Sequence, residues 1–239
     1  MDKTVIVILS TMRAGSTLLK SLLQEAEDVS RLPEIDFHEV SSPGEMEDLS
    51  DKPIVVLKKP PGYHAVRSYP YIPDWVDPKF IVLVRNVSQN LMSIKRMTLG
   101  PVAYYMPQFI NRLFVESYWC RVYENILDHP RVGGERTTYV SYEELTKEPV
   151  KETKRLYEFI GSQRVRGTDQ YQRKVRKFWS LANYSRYIDE STVKEPKPRE
   201  VDPALRKVIE ESERLSQVQS RLASLLKRRS GQVSSIRAE

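Results

Sequence analysis

The sequence predicts an α/β fold of three layers, a central parallel sheet flanked by helices. Three observations predict it. Short β-branched runs recur along the chain and are apolar throughout, as strands buried on both faces require. Segments with helical spacing of apolar residues separate them. Polar and basic residues cluster where the strands end, the edge of a parallel sheet at which ligands bind.

The elements follow in order. Residues 4–9, Thr-Val-Ile-Val-Ile-Leu, form the first strand, and residues 10–15 read as a turn. From Ser16 the spacing of Leu18, Leu19, Leu22 and Leu23 predicts a helix. Residues 28–51 are polar and irregular, with Pro33, Pro43 and Gly44. Residues 53–57 form a second strand that ends in Lys58-Lys59-Pro60-Pro61, and residues 62–72 a helix. Residues 79–84 form a third strand, ending at Arg85, with a helix through about Met97. A long helical pattern runs over 104–128, with Phe109, Leu113, Tyr118, Val122 and Ile126 among its apolar positions. Residues 136–140 form a fourth strand, and residues 149–160 a helix stopped by Gly161. The run Glu195-Pro-Lys-Pro198 reads as an extended linker. Residues 203–229 form a last helix whose apolar stripe packs on the body, and the tail after Ser230 is expected to be disordered. No internal repeat interrupts this order.

Composition narrows the function. The 239 residues are 40% hydrophobic and 29% charged, a globular balance. Lys and Arg number 38 against 32 Asp and Glu, a net charge of +6, which suits nucleic acid, an anionic membrane surface or a small anionic ligand. A single cysteine, Cys120, excludes an internal disulfide framework and a cysteine-rich metal site, and it reads as a buried small hydrophobe. The three histidines, His38, His64 and His129, are too widely spaced to suggest a metal site. No apolar run approaches the ~20 residues of a membrane span, and residues 5–9 are too short for a signal-peptide core. The expectation is a cytoplasmic protein. On that basis the sequons at Asn86 and Asn183 are chance matches.

Two signals point to an anion site. The first loop reads Thr11-Met12-Arg13-Ala14-Gly15-Ser16-Thr17. Free N–H groups at a helix start, with the helix dipole, hold phosphate-like groups. Gly15 lets the backbone approach a ligand, Ser16 and Thr17 offer hydroxyls, and Arg13 offers charge-assisted bonds. The plainer reading is a helix cap beside a stray arginine. The layout is P-loop-like, but a Walker A loop has a lysine before its Ser/Thr, where this chain has Gly15. The second signal is Arg85 at a strand end with Ser93 about two helical turns on, positions from which both can reach one anion.

Together these residues resemble the sulfotransferases that use 3′-phosphoadenosine 5′-phosphosulfate (PAPS). In that family a loop like Pro-Arg-Ser-Gly-Ser/Thr-Thr-Leu-Leu follows the first strand and binds the 5′-phosphosulfate. Here it is Met12-Arg13-Ala14-Gly15-Ser16-Thr17-Leu18-Leu19. The family's strand-end Arg-Asp-Pro with a later Ser binds the 3′-phosphate, and here it is Arg85-Asn86-Val87 with Ser93. Lys58-Lys59-Pro60 matches the family's Lys-x-Pro, and Tyr142-Glu143-Glu144-Leu145 with Pro149 matches its Tyr-Glu-Asp/Gln-Leu segment. The segment ending Phe159-Ile160-Gly161 is similar to the family's Phe-Leu-Gly. The resemblance spans residues 4–161. Its departures are Met12 for Pro, Ala14 for a hydroxyl residue, and Asn86-Val87 for Asp-Pro.

The resemblance implies PAPS as donor, PAP as product, no required metal, and a small-molecule acceptor sulfated on oxygen or nitrogen. It makes Arg13, Ala14, Gly15, Ser16, Thr17, Leu18, Arg85, Ser93 and Tyr142 the cofactor-binding set. By analogy with phosphoryl transfer, the protein positions the reactants and stabilises charge on the leaving oxygen. Lys58 and Arg13 are the candidates for that charge, with Lys59 as alternative because neighbouring strand residues face opposite ways. A base must take the acceptor's proton. In the branch acting on protein tyrosine, a Glu about this far beyond the loop is the base, which puts Glu34 first. Cytosolic members use a His, so His38, His64 and Glu39 stay open. Each has a plain reading too: a solvated loop carboxylate for Glu34 and Glu39, an ordinary partly buried imidazole for His38.

The acceptor side is thinly marked. Residues 99–109 are aromatic and apolar, suited to a pocket or to the core. Over residues 151–186, ten basic residues face three acidic ones. Arg173, Lys174, Arg176 and Lys177, near Trp179, are candidates to close over the cofactor, and a solvated basic face is the plainer reading. The competing functions are a P-loop-type nucleotide kinase or NTPase, set against the missing lysine, and a basic nucleic-acid-binding protein, set against the lack of any nucleic-acid module. The expected partners exclude nucleic acid and membrane. The expected organisation is a sulfotransferase domain over 1–195 and a C-terminal helix with a flexible tail over 196–239.

Overall fold

The computed structural model describes residues 3–35, 37–100, 107–171 and 191–235. Strands β1 (Thr4–Leu9), β2 (Ile54–Lys58), β3 (Lys79–Val84) and β4 (Thr137–Ser141) form one parallel sheet in the order β2-β1-β3-β4. In register, Val7 lies beside Leu57 on one side and Phe80 on the other, and Val84 lies beside Ser141. Each strand is buried along most of its length, because both faces are covered.

Alternation along the strands sorts the core into two layers. Ile6, Ile8, Ile54, Val56, Ile81, Leu83 and Val140 face helices α1 (Ser16–Leu23) and α7 (Pro149–Ile160), which bury Leu19, Leu22, Leu23, Leu156, Tyr157 and Ile160. Val5, Val7, Leu9, Val55, Leu57, Phe80 and Val82 face the opposite layer. That layer is built from α3 (Val87–Leu99), the segment 108–128, α8 (Pro203–Glu211) and α9 (Glu213–Ser235). The three-layer architecture is therefore as expected.

Several elements differ in detail. Residues 43–48 of the irregular stretch form a short helix α2 (Pro43–Asp48), capped by Ser42, whose hydroxyl accepts from the Glu45 amide. The helix expected over 62–72 is a tight 3₁₀ segment, Tyr63–Ser68. Over 108–128 the helix is not uniform: α4 (Gln108–Arg112) widens into a π-helical stretch, Leu113–Cys120, then α5 (Arg121–Asp128). This wider stretch buries Tyr118, Trp119 and Cys120 together. A short helix α6 (Tyr142–Lys147) follows β4 directly.

The last helix is broken at Ser212, whose extended backbone ends α8 and whose hydroxyl accepts from the Leu215 amide. The helix then continues to Ser235, beyond the expected end of order at Ser230. Leu205, Val208, Leu215, Val218 and Leu222 join the same core as β1 and β3. Asp202 ties this segment in. Its carboxylate pairs with the ammonium of buried Lys95, which also donates to Asn111 Oδ1 at 2.7 Å. Among the described residues, no helix is long and apolar enough to cross a membrane.

Candidate active site

The strand order decides where the site lies. From β1 the chain moves outward to β2, then returns across β1 to β3, so the connections after β1 and β3 diverge. At such a switch point a crevice opens at the carboxyl ends of the strands. The loop 10–15 and Arg85 both emerge there.

The loop is held from several directions. The Ser10 and Met12 amides donate to the hydroxyls of Tyr69 (3.1 Å) and Tyr118 (2.8 Å). Tyr118 passes a further bond to the Pro61 carbonyl at 2.9 Å, joining the loop to the β2 exit. Buried Asn90 of α3 accepts from the Thr11 hydroxyl and donates to the Met12 carbonyl, both at 2.9 Å. Met12 in place of proline thus supplies an N–H that proline lacks. Asn86 in place of Asp still caps α3, accepting from the Gln89 amide at 3.2 Å.

The loop geometry suits an anion. Arg13 has φ +60° and Gly15 φ +104°, and no side chain caps α1, so its first amides are left for a ligand. The Tyr142 ring packs over Gly15 on one side and takes the Arg85 guanidinium on the other, 4.4 Å from its centroid. A Cβ at Gly15 would lie 2.3 Å from a ring carbon of Tyr142. Gly15→Ala is therefore expected to destabilise the fold by about 1–3 kcal/mol and to weaken anion binding. Chemical denaturation and ligand titration would show both, and adding Tyr142→Ala should recover part of the loss.

Arg85 donates to the Arg13 carbonyl at 2.8 Å, and Arg13 Nε reaches Ser93 Oγ at 3.4 Å. The second anchor thereby meets the first loop. Burial lowers the pKa of both guanidinium groups, and the charge of Arg199 pushes the same way on each. Arg199, from the segment before α8, is a member of this cluster that sequence reasoning missed. No local spacing pairs it with Arg13. Arg85 Nε is buried without a hydrogen-bond partner, as is the Ser10 hydroxyl below the loop. An orphaned guanidinium N–H among three arginines fits a multiply charged phosphate-bearing ligand.

Beside the loop stands a second group. Lys58, at the end of β2 and 2% exposed, pairs with Glu34 and donates to Thr17 Oγ1 at 2.6 Å. The Thr17 hydroxyl also bonds Glu34 Oε1, at 3.0 Å. Burial would raise the Glu34 pKa, but the charge and hydrogen bond of Lys58, the hydroxyl of Thr17 and the charge of Lys20 together hold it below the usual carboxylate range. Burial lowers Lys58 despite Glu34. Lys20, buried in α1, is lowered to about 8 by burial and then by Lys58, and its ammonium holds the Pro33 carbonyl just before Glu34. Lys59, the neighbour of Lys58, points elsewhere: it is half exposed and pairs with Glu39 at 2.8 Å.

His38 sits beside this group. Its ring stacks on Tyr71, with centroids 4.5 Å apart, and both line a cavity of ≈190 Å³ at the ends of β1 and β2. Lys58, Pro61, His64 and Tyr69 complete its walls. This cavity opens next to Lys58; of the 99–109 stretch, residues 101–106 lie outside the described residues. Ala14 and Ser16 are buried in the loop, and Leu18 packs against the α1 layer. Arg173, Lys174, Arg176, Lys177, Trp179 and Asn183 also lie outside the described residues. Lys151 and Lys154 of the basic stretch pair with Glu148 and Glu158 at the surface, and Arg155 pairs with buried Glu152.

Comparison with known proteins agrees with this fold. Residues 75–165, which carry β3, Arg85, Ser93, β4 and Tyr142, match a family model described as Sulfotransferase family. No curated protein matches the chain. The sulfotransferase domain of the Synechococcus PCC 7002 olefin synthase superposes with TM-score 0.50 at 19% identity, covering 88% of this chain and 95% of that one. The sulfotransferase domain from the curacin biosynthetic pathway gives 0.52 at 14%, covering 88% and 97%. A sulfotransferase from Alicyclobacillus acidocaldarius gives 0.54 at 13%, covering 95% and 97%. At these identities the structural likeness is one of fold. Residues 75–165 thus match the sulfotransferase family by sequence, and they sit in a chain whose fold is like that of sulfotransferase domains.

Proposed function

We propose that the protein is an enzyme that transfers a sulfuryl group from PAPS to a hydroxyl or amine of a small molecule, releasing PAP. The observation that carries this is the meeting of two anion anchors, the 11–17 loop and the Arg85–Ser93 pair, at the sheet's switch point, with Lys58 and Glu34 alongside. The α1 amides, Ser16, Thr17 and Leu18 would hold the 5′-phosphosulfate, and Arg85, Ser93 and Arg199 the 3′-phosphate. PAPS supplies an activated sulfuryl group on a good leaving oxygen. Lys58 and Arg13 stabilise the charge that gathers on that oxygen as its bond to sulfur breaks. Glu34 takes the acceptor's proton as the new bond to sulfur forms. Thr17 and Lys58 hold the Glu34 carboxylate in place, so little reorganisation precedes transfer.

The cavity beside Lys58 is the acceptor side. An apolar cavity of about 150 Å³ binds benzene, so ≈190 Å³ takes one ring or an aliphatic group of that size. His38 and Tyr71 form one wall of it. No metal is needed for this chemistry. A single buried cysteine suits a reducing, cytoplasmic location.

Thermal unfolding tests the donor. PAP at about 100-fold over its dissociation constant is expected to add about 2.7 kcal/mol of stability, and ATP with magnesium much less. Stabilisation by ATP–magnesium and none by PAP would sink the reading and favour a nucleotide kinase.

A further inference from the structure

Gln89 is the third residue of α3, and the Asn86 cap fixes its backbone amide. Its side chain grips one residue twice. Gln89 Nε2 donates to the Arg199 carbonyl at 3.0 Å, and Gln89 Oε1 accepts from the Arg199 amide at 2.8 Å. The carboxamide thus completes both main-chain bonds of Arg199, as a neighbouring strand would. On one side the segment is tied where the Val193 amide donates to the Asp169 carbonyl at 2.7 Å. On the other it ends at Asp202, buried against Lys95. Between these ties, Gln89 is the side chain that fixes residue 199 relative to α3, the helix that carries Ser93.

The clasp has a consequence at the site. The Arg199 charge acts on both Arg13 and Arg85. Three like charges repel one another when no anion lies between them, so a free strap would carry Arg199 away. A guanidinium on a long side chain is useful to a phosphate only if its own backbone is held. We propose that Gln89 is a positioning residue, one that clasps the backbone of Arg199 and so presents its guanidinium to the 3′-phosphate side of the nucleotide site. This rests on the PAPS reading for the identity of the ligand, and on geometry alone for the clasp.

Two measurements on the full chain test it. The first is hydrogen exchange at the Arg199 amide in the wild type and in Gln89→Ala. Faster exchange in the variant is expected, and unchanged exchange overturns the clasp. The second is the affinity for PAP and for 5′-AMP, which lacks the 3′-phosphate, in wild type, Gln89→Ala, Arg199→Ala and the double variant. Gln89→Ala is expected to lose about ten-fold in PAP affinity, the worth of roughly one charge-assisted bond, and nothing in 5′-AMP affinity. The double variant should lose no more than Arg199→Ala alone, because Gln89 acts through Arg199. Equal losses for both nucleotides, wild-type PAP affinity in Gln89→Ala, or multiplied losses in the double variant would each overturn the proposal. A wild type that binds neither nucleotide overturns the PAPS reading instead, and the exchange measurement then decides the clasp by itself.

Discussion

Glu34→Gln is expected to lower turnover by about 10²–10⁴-fold and to leave PAP binding largely intact. The carboxamide is nearly the same shape and can still accept from Thr17 and Lys58, so the loop beside it keeps its support. What it cannot do is take a proton from the acceptor. The pH profile tests the carboxylate as base. A carboxyl held low by Lys58 and Thr17 stays ionised as pH falls, until below the ordinary carboxylate value of about 4.3. With Glu34 as base, kcat/KM should therefore hold through pH 6.5 and fall only in strongly acidic buffer. Near-normal turnover in Glu34→Gln, or turnover lost instead in His38→Ala or His64→Ala, would remove Glu34 from the role. Steady-state rates across pH, with PAP affinity measured in parallel, decide between them.

Asp202→Ala is expected to cost about 3–5 kcal/mol of stability, the largest loss from any one substitution considered. Lys95 and Asp202 are 0% and 3% exposed, so the substitution strands an ammonium in the core with Asn111 as its remaining partner. It also removes the cap of α8, where the Asp202 carboxylate accepts from the Ala204 amide at 2.9 Å. A buried pair need not stabilise a protein relative to apolar residues, but breaking one does destabilise it. The double change Lys95→Met with Asp202→Ala should accordingly recover part of the loss. Urea unfolding midpoints of the three variants provide the test. A single variant within about 1 kcal/mol of wild type would mean that the pair is solvated in solution. The same substitution should loosen the strap that carries Arg199, so nucleotide affinity is expected to fall as well.

Much of the fold was legible because its signals are local. Apolar runs such as 4–9 and 79–84 read as buried strands since every residue in them meets a hydrophobic layer. The strand–loop–helix at 4–23 and the Arg85–Ser93 spacing are contiguous in the chain, so both could be read from sequence. The family resemblance, rather than geometry, singled out Glu34, and Lys58 with Lys59 as its alternative. The ends of elements were less legible. Ser212 breaks the last helix through a cap that the apolar stripe across it conceals, and the π-helical turn at 113–120 exists to bury Tyr118 and Trp119 together.

What the sequence by itself determined is the class of fold, a parallel sheet with a loop and an arginine at its strand ends. The tertiary structure decided its completion. Asn90 meets Met12 across 78 residues, Tyr118 meets Met12 across 106, and Gln89 meets Arg199 across 110. Such pairs leave no period or spacing in a sequence, because they depend on strand order and on which helix face turns toward the crevice. The burial of Lys58 beside an exposed Lys59 and the place of the cavity at the strand ends have the same origin. Chain connectivity puts residues near the site, and only packing aims them.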